Sequence, residues 1–201
     1  MLPERYANVP ALRDMPLSAF KDGQQGAREA LIEFLEDKAA SVVLIGGVGS
    51  GKTHLAAATY KSFIALDDPK LGLQFEDGTT HRFKRHMCFV NVPKFIADIK
   101  RGFGYSAGDN AQVAQIEHLL DKCSCVVLDD LGAERPTDFA NEQLLLLMDG
   151  LYNRRARILA TSNVKMSVLA ETGGARLVSR LSEGAKVTNV VTRDLRVSNG
   201  K

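Results

Sequence analysis

Gly46-Gly47-Val48-Gly49-Ser50-Gly51-Lys52-Thr53 decides the fold of this 201-residue chain. The stretch matches G-x-x-x-x-G-K-[ST] at every defined position. It lies between an apolar run, Val42-Val43-Leu44-Ile45, and a helix-compatible run, His54-Leu55-Ala56-Ala57-Ala58. Strand, glycine loop and helix in that order are the context in which the pattern binds phosphate. Glycines let successive backbone N–H groups converge on phosphate oxygens, and the start of the helix adds partial positive charge. In such a loop Lys52 reaches the β- and γ-phosphates and the Thr53 hydroxyl ligates Mg²⁺. The expected nucleotide-binding residues are Gly46, Gly47, Val48, Gly49, Ser50, Gly51, Lys52, Thr53 and His54. A glycine-rich turn with no ligand is the other meaning of the string, and the flanking pattern weighs against it.

Outward from the loop, the apolar spacing alternates between helix and strand. Upstream, residues 1–22 are punctuated by Pro3, Pro10 and Pro16 and read as an irregular lead-in. Ala27, Ala30, Leu31, Phe34 and Leu35 then mark one face of a helix over 24–38. Downstream of the strand at 42–46, a helix is expected from Gly51 to about Leu66. Leu73-Gln74-Phe75 and His81-Arg82-Phe83 flank Asp77-Gly78 and suggest a hairpin. Met87–Val92 reads as a strand stopped by Pro93, with a short helix to about Arg101. Residues 102–108 are a loop by their glycine content, and Val113, Ile116 and Leu120 mark a further amphipathic helix. Strands are expected at 124–130, 157–162 and 186–191. Between them, Leu144, Leu147, Met148, Leu151 and Tyr152 form a helical stripe, and 165–171 and 174–182 read as shorter helices. Strands alternating with helices imply a parallel sheet covered on both faces.

Val126-Val127-Leu128-Asp129-Asp130 supplies a second half to the site. Ligands of open parallel sheets gather at the carboxyl ends of strands, the end at which the glycine loop also lies. Asp129 is assigned to Mg²⁺, which keeps much of its water and needs few protein ligands. Asp130 is then placed to polarise the water that attacks the γ-phosphate. Asp-Asp-Leu-Gly also suits a plain strand-to-turn exit. Asn163 ends the next strand at the same rim, where it either meets the attacking water or γ-phosphate, or simply turns the chain. Arg176 and Arg180 stand four apart on one helix face. Such arginines stabilise charge in phosphoryl transfer, often from a neighbouring protein, or else belong to a solvated face.

Composition narrows the class without choosing a function. Hydrophobic residues at 45% and charged residues at 25% are ordinary for a globular chain, and a formal charge of +2 leaves any basic face a local matter. Cys88, Cys123 and Cys125 lack metal-ligand spacing and read as buried free thiols in a reducing, cytoplasmic compartment. The opening residues have no signal-peptide core, and no apolar stretch approaches the length needed to cross a bilayer, so no membrane partner is expected.

Taken together, these segments resemble an AAA+ ATPase, in particular the branch of DnaC-like helicase loaders and IstB-like transposition helpers. The likeness is carried by Leu2-Pro3-Glu4-Arg5-Tyr6, by Gly-Lys-Thr-His-Leu-Ala at 51–56 and by Val127-Leu128-Asp129-Asp130-Leu131-Gly132-Ala133-Glu134. Thr161-Ser162-Asn163, Arg176-Leu177-Val178-Ser179-Arg180-Leu181 and the closing Asp194-Leu195-Arg196 continue it in the right order. The resemblance implies a P-loop, three-layer α/β sandwich with a central five-stranded parallel sheet and no helical lid domain. It implies a lead-in and amphipathic helix over 1–40 and an ATPase core over 41–201, with residues 67–86 as a hairpin insertion. It further implies Asp129 as the metal-associated carboxylate, Asp130 where many AAA+ members carry a catalytic Glu, and Asn163 as the first sensor. Arg180 becomes the arginine finger offered to a neighbouring subunit, Arg176 its helper, and Asn91 a polar switch residue.

The function implied is ATP hydrolysis with Mg²⁺ in DNA replication, as a loader of a replicative helicase, slow until the protein associates with itself. A transposition helper that delivers a transposase shares every motif. Full-length loaders carry an N-terminal helicase-gripping domain, whereas only about forty residues precede the loop here. The cluster His81-Arg82-Phe83-Lys84-Arg85-His86 suits single-stranded DNA, or merely guards a hairpin edge with charge. A P-loop kinase and a nucleotide-dependent binding module with negligible hydrolysis are the other classes, and the first would need an acceptor pocket.

Overall fold

β1 (Ser41–Ile45) is apolar at odd and even positions alike, which demands cover on both faces of the sheet. The computed structural model describes Leu17 and residues 24–66, 87–102 and 123–190, and among them that cover is present. The described elements run α1 (Gln25–Leu35), β1, α2 (Lys52–Leu66), β2 (Met87–Asn91), α3 (Val92–Gly102) and β3 (Cys125–Leu131). Then come α4 (Asp138–Asn153), β4 (Arg157–Ser162), α5 (Met166–Gly173), α6 (Ala175–Ser182) and β5 (Ala185–Asn189). The five strands form one parallel sheet in the order β2-β3-β4-β1-β5.

Strand parity sorts the core into two layers. Val42, Leu44, Phe89, Val127 and Leu159 face α1 and α2. Their neighbours Val43, Val90, Val126, Leu128, Ile158 and Ala160 face α3, α4, α5 and α6. Each layer buries apolar area at about 25 cal/mol per Å², so a shift of one residue in any inner strand exchanges the two sets and is strongly disfavoured. β5 is the outer strand beside β1, half-exposed along its length, with Lys186 paired to Glu33 of α1.

Helix ends follow local chemistry. Thr137 caps α4, its hydroxyl accepting from Ala140 N at 3.1 Å, and Asp138 adds negative charge in the first turn. Asn91 caps α3 in the same way, its Oδ1 accepting from Lys94 N at 3.1 Å. This corrects the expected end of β2. Val92 opens a helix and Pro93 sits in its first turn, where the missing N–H costs nothing. α1 stops three residues earlier than expected because Asp37 takes φ 61° and the chain turns back. Arg157 closes that turn: it stacks 4.3 Å from the Phe34 ring centroid, donates to Ala39 O and pairs with Asp37.

The expectation of three free thiols is also corrected. Cys88 and Cys123 are joined as a disulfide, with Cα atoms 5.9 Å apart, and Cys125 is a buried thiol outside that bridge. Cys88 of β2 and Cys123, which precedes the first residue of β3, lie in the layer that faces α3–α6, whereas Cys125 opens β3 facing α2. The lead-in, the hairpin at 67–86 with its basic cluster, the loop beyond Gly102, the helix carrying Val113, Ile116 and Leu120, and the closing Asp194-Leu195-Arg196 lie outside the described residues.

Candidate functional site

Asp129 has the odd parity of Cys125 and Val127, so its carboxylate is delivered to the face carrying α2. It is 1% exposed. Thr53, in the first turn of α2, donates to Asp129 Oδ1 at 3.0 Å across 76 residues of sequence. Thr161 of β4 donates to the same oxygen at 2.8 Å. Asn91 pairs with Asp129 in the β2–β3 register, and its side chain favours the charged carboxylate. Burial raises the Asp129 pKa and the Asp130 charge adds to the rise, while bonds from Thr161, Thr53 and Asn91 oppose it.

Asp130 owes its position to a bulge. Leu128 pairs with Ala160 and Leu131 with Ser162, so two residues of β3, Asp129 and Asp130, stand opposite the single residue Thr161. Asp130 takes φ 60°, a conformation non-glycine residues rarely adopt and one that Asp tolerates better than most. Its N–H donates to Thr161 Oγ1 at 2.9 Å. One hydroxyl thereby donates to the first acid and accepts from the second.

The glycine loop is formed around its own lysine. Lys52 Nζ donates to Gly46 O and Gly47 O, each at 2.8 Å, and to Ser50 Oγ at 3.2 Å, and the residue is 4% exposed. Gly49 and Gly51 have φ of 79° and 88°, which lets the loop curl tightly enough for its amides to converge. Gly46 is required for a different reason, since a Cβ there would lie 2.4 Å from Val190 O. Gly46 N donates to Ser162 O at 3.2 Å, which ties the loop to the end of β4. Val48 is exposed at the loop tip, and His54 is half-buried in the first turn of α2.

The structure thus brings together the loop, Thr53, Asp129 and Asp130. Asn163 is exposed one residue past β4, next to the Ser162 carbonyl that accepts from Gly46. Arg176 and Arg180 lie elsewhere, on α6 in the opposite helical layer. Arg176 pairs with Asp149 at 2.7 Å; Arg180 approaches the same carboxylate at 3.4 Å and stacks 3.9 Å above the Tyr152 ring. Among the described residues neither arginine contacts Lys52, Thr53 or Asp129.

The oxygens fit Mg²⁺. Thr53 Oγ1 and Asp129 Oδ1 are hard donors already side by side, and among the described residues no group of three or more His, Cys, Asp or Glu forms a dedicated metal cage. A cation that keeps several waters and shares ligands with phosphate suits such a sparse pair.

Two residues escaped the sequence reading. Thr161 was quoted only within a string, although its odd parity on β4 was enough to aim it at Asp129. Gln24 gave no signal: its amide donates to Ser50 O at 2.8 Å, bridging 26 residues of sequence, and it is 3% exposed.

No protein-family model matches the chain. In sequence it is similar to the chromosomal replication initiator protein DnaA of Bordetella petrii, 26% identical over 179 residues that cover 87% of this chain and 33% of the other. The chain spans about a third of the length of the curated relatives it matches. In structure it is similar to the DnaC helicase loader, with a TM-score of 0.65, 22% identity and coverage of 93% of this chain and 99% of that one. It is also similar to the replication initiator DnaA bound to AMPPCP and single-stranded DNA, with a TM-score of 0.67, 18% identity and coverage of 90% and 51%. The fold is the AAA+ fold that these replication proteins share.

Proposed function

We propose that this chain, whose fold is that of the AAA+ replication ATPases, binds ATP with Mg²⁺ and hydrolyses it at a site completed by a second copy. It acts in DNA replication, in the cytoplasm, as a loader of a replicative helicase. The observation that carries the reading is the Thr53–Asp129 contact at 3.0 Å beside the buried Lys52, a constellation with one economical use. Lys52 exchanges its bonds to Gly46 O, Gly47 O and Ser50 Oγ for phosphate oxygens, and the loop amides take the remaining charge. Thr53 and Asp129 would hold Mg²⁺, which would supply neutralising charge to the bound triphosphate. Asp130 accepts a hydrogen bond from the attacking water, and Asn163 orients that water against the γ-phosphate.

Arg180 faces away from its own loop, which supports a role in a neighbour's site, with Arg176 beside it on the same carboxylate. Catalysis of this kind is mostly positioning and charge stabilisation, so an isolated subunit is slow. The similarity to the DnaC loader and to a DnaA bound to single-stranded DNA supports the replicative role and single-stranded DNA as a partner.

The test is ATP turnover per subunit across protein concentration, with and without single-stranded DNA. The rate climbs with concentration if the site is shared, and a flat rate refutes sharing. Lys52→Ala loses ATP binding, Arg180→Ala keeps it, and mixing the two restores part of the turnover. Recovery of a hexameric helicase rather than a transposase in a pull-down separates loading from transposition.

A further inference from the structure

We infer that Gln24 is a positioning residue for the phosphate loop: its buried side-chain amide sets the direction in which the Gly51 N–H points. This rests on the nucleotide-site reading above and names a residue outside the motif on which that site depends.

The peptide unit between Ser50 and Gly51 is planar and trans, so its C=O and N–H point in opposite directions. Whatever holds the Ser50 carbonyl therefore aims the Gly51 N–H. Gln24 Nε2 donates to that carbonyl at 2.8 Å. The Gly51 N–H makes no hydrogen bond among the described residues, which leaves it for an incoming anion. A clamp is needed here because Gly51, at φ 88°, has little intrinsic preference among backbone conformations, and the plane before it turns over easily. Ser50 N donates to Gly47 O at 3.3 Å and Ser50 Oγ accepts from Lys52 at 3.2 Å, so the residue is also held on its amide and side-chain sides.

The clamp stands on rigid ground. Gln24 O accepts from Arg28 N at 2.9 Å and so opens the first turn of α1. That helix is anchored by Ala27, Ala30, Leu31 and Phe34, all buried in the layer that also holds α2. A side chain of several rotatable bonds is thereby frozen before the ligand arrives, and the cost of ordering the loop is met in folding rather than in binding. The start of α1 and the phosphate loop become one mechanical unit.

Gln24→Met keeps length and bulk and removes the donor; Gln24→Asn keeps the amide and shortens its reach. ATP and ADP affinity are measured with a fluorescent analogue, alongside thermal melts and the amide ¹H–¹⁵N shift of Gly51. In Gln24→Met the affinity for ATP and for ADP falls about tenfold, the size expected when one charge-assisted amide is misdirected, and the Gly51 amide resonance moves or broadens. Gln24→Asn falls between the two and serves as the readout if the methionine variant does not fold. Wild-type affinity within twofold in the folded variant, with an unmoved Gly51 resonance, overturns the inference. If Lys52→Ala also binds like the wild type, the nucleotide site itself is wrong; if Lys52→Ala loses ATP and Gln24→Met does not, only the clamp is.

Discussion

Replacing Thr161 with valine removes a hydroxyl that two acids share while leaving nearly the same volume in a fully buried position. Two losses follow. Asp129 Oδ1 loses a 2.8 Å donor and keeps Thr53, and a hydrogen bond to a charged group contributes about 1.5–3 kcal/mol. The Asp130 N–H loses its 2.9 Å acceptor, and an unmet amide costs about 1–3 kcal/mol. The extra buried methyl offsets about 1 kcal/mol. The net is a loss of about 3 kcal/mol, which for a chain of this size lowers Tm by roughly 6–12 °C. Thr161→Ser keeps both bonds, gives up one buried methyl and falls by only about 3 °C. Thermal melts followed by circular dichroism rank the three proteins. A valine variant as stable as the serine one refutes the bridging role of the hydroxyl. A double-mutant cycle with Asp129→Asn sharpens the test, because the valine penalty shrinks when the acceptor it starves is neutral.

Two further outcomes follow from the same geometry. The Asp129 carboxyl holds its proton more tightly in the folded state than at its ordinary 3.8, chiefly because it is buried. Folded-state stability of the metal-free protein therefore falls as pH rises from 3.8 through the raised value, and the penalty is fully present above it. Asp129→Asn removes that penalty, so melts show the variant more stable than the wild type at pH 7 and the gap closing towards pH 3; a gap independent of pH sinks this account. Gly46→Ala drives a methyl to within 2.4 Å of the Val190 carbonyl, with no flexible side chain to give way. It lowers Tm by more than roughly 2–4 °C, the shift that about 1 kcal/mol produces in a chain of this size, read in the same melts.

Much of this was readable because the period of a parallel strand is two and both faces are covered. The apolar runs 42–45 and 126–128 located β1 and β3, and the stripe from Leu144 to Tyr152 located α4. The apolar run ending in Asp129 put that acid at the carboxyl end of its strand, the rim the glycine loop shares. What escaped was contact between distant segments. The string Asp129-Asp130 does not announce a bulge, because Asp130's place depends on the register with β4, and register is settled by the pairing of Leu131 with Ser162. Gln24 looked like an ordinary helix-opening residue because its partner lies past a whole strand. Arg176 and Arg180 were read as a pair on one face, and they are, but their shared partner Asp149 and the Tyr152 ring belong to α4. The disulfide was missed for the reverse reason, since the spacing of Cys88 and Cys123 has no meaning until β2 is laid beside β3.

Because Leu131 returns to step with Ser162 immediately after the bulge, residue 130 occupies a supernumerary place in the ladder. No core contact downstream is measured from it. Shortening the chain by that single residue would give an unbroken strand, a sound sheet and a site with one acid instead of two. The acid at this position is therefore set apart from the core ladder, and what can replace it is limited by the φ of 60° that Asp tolerates.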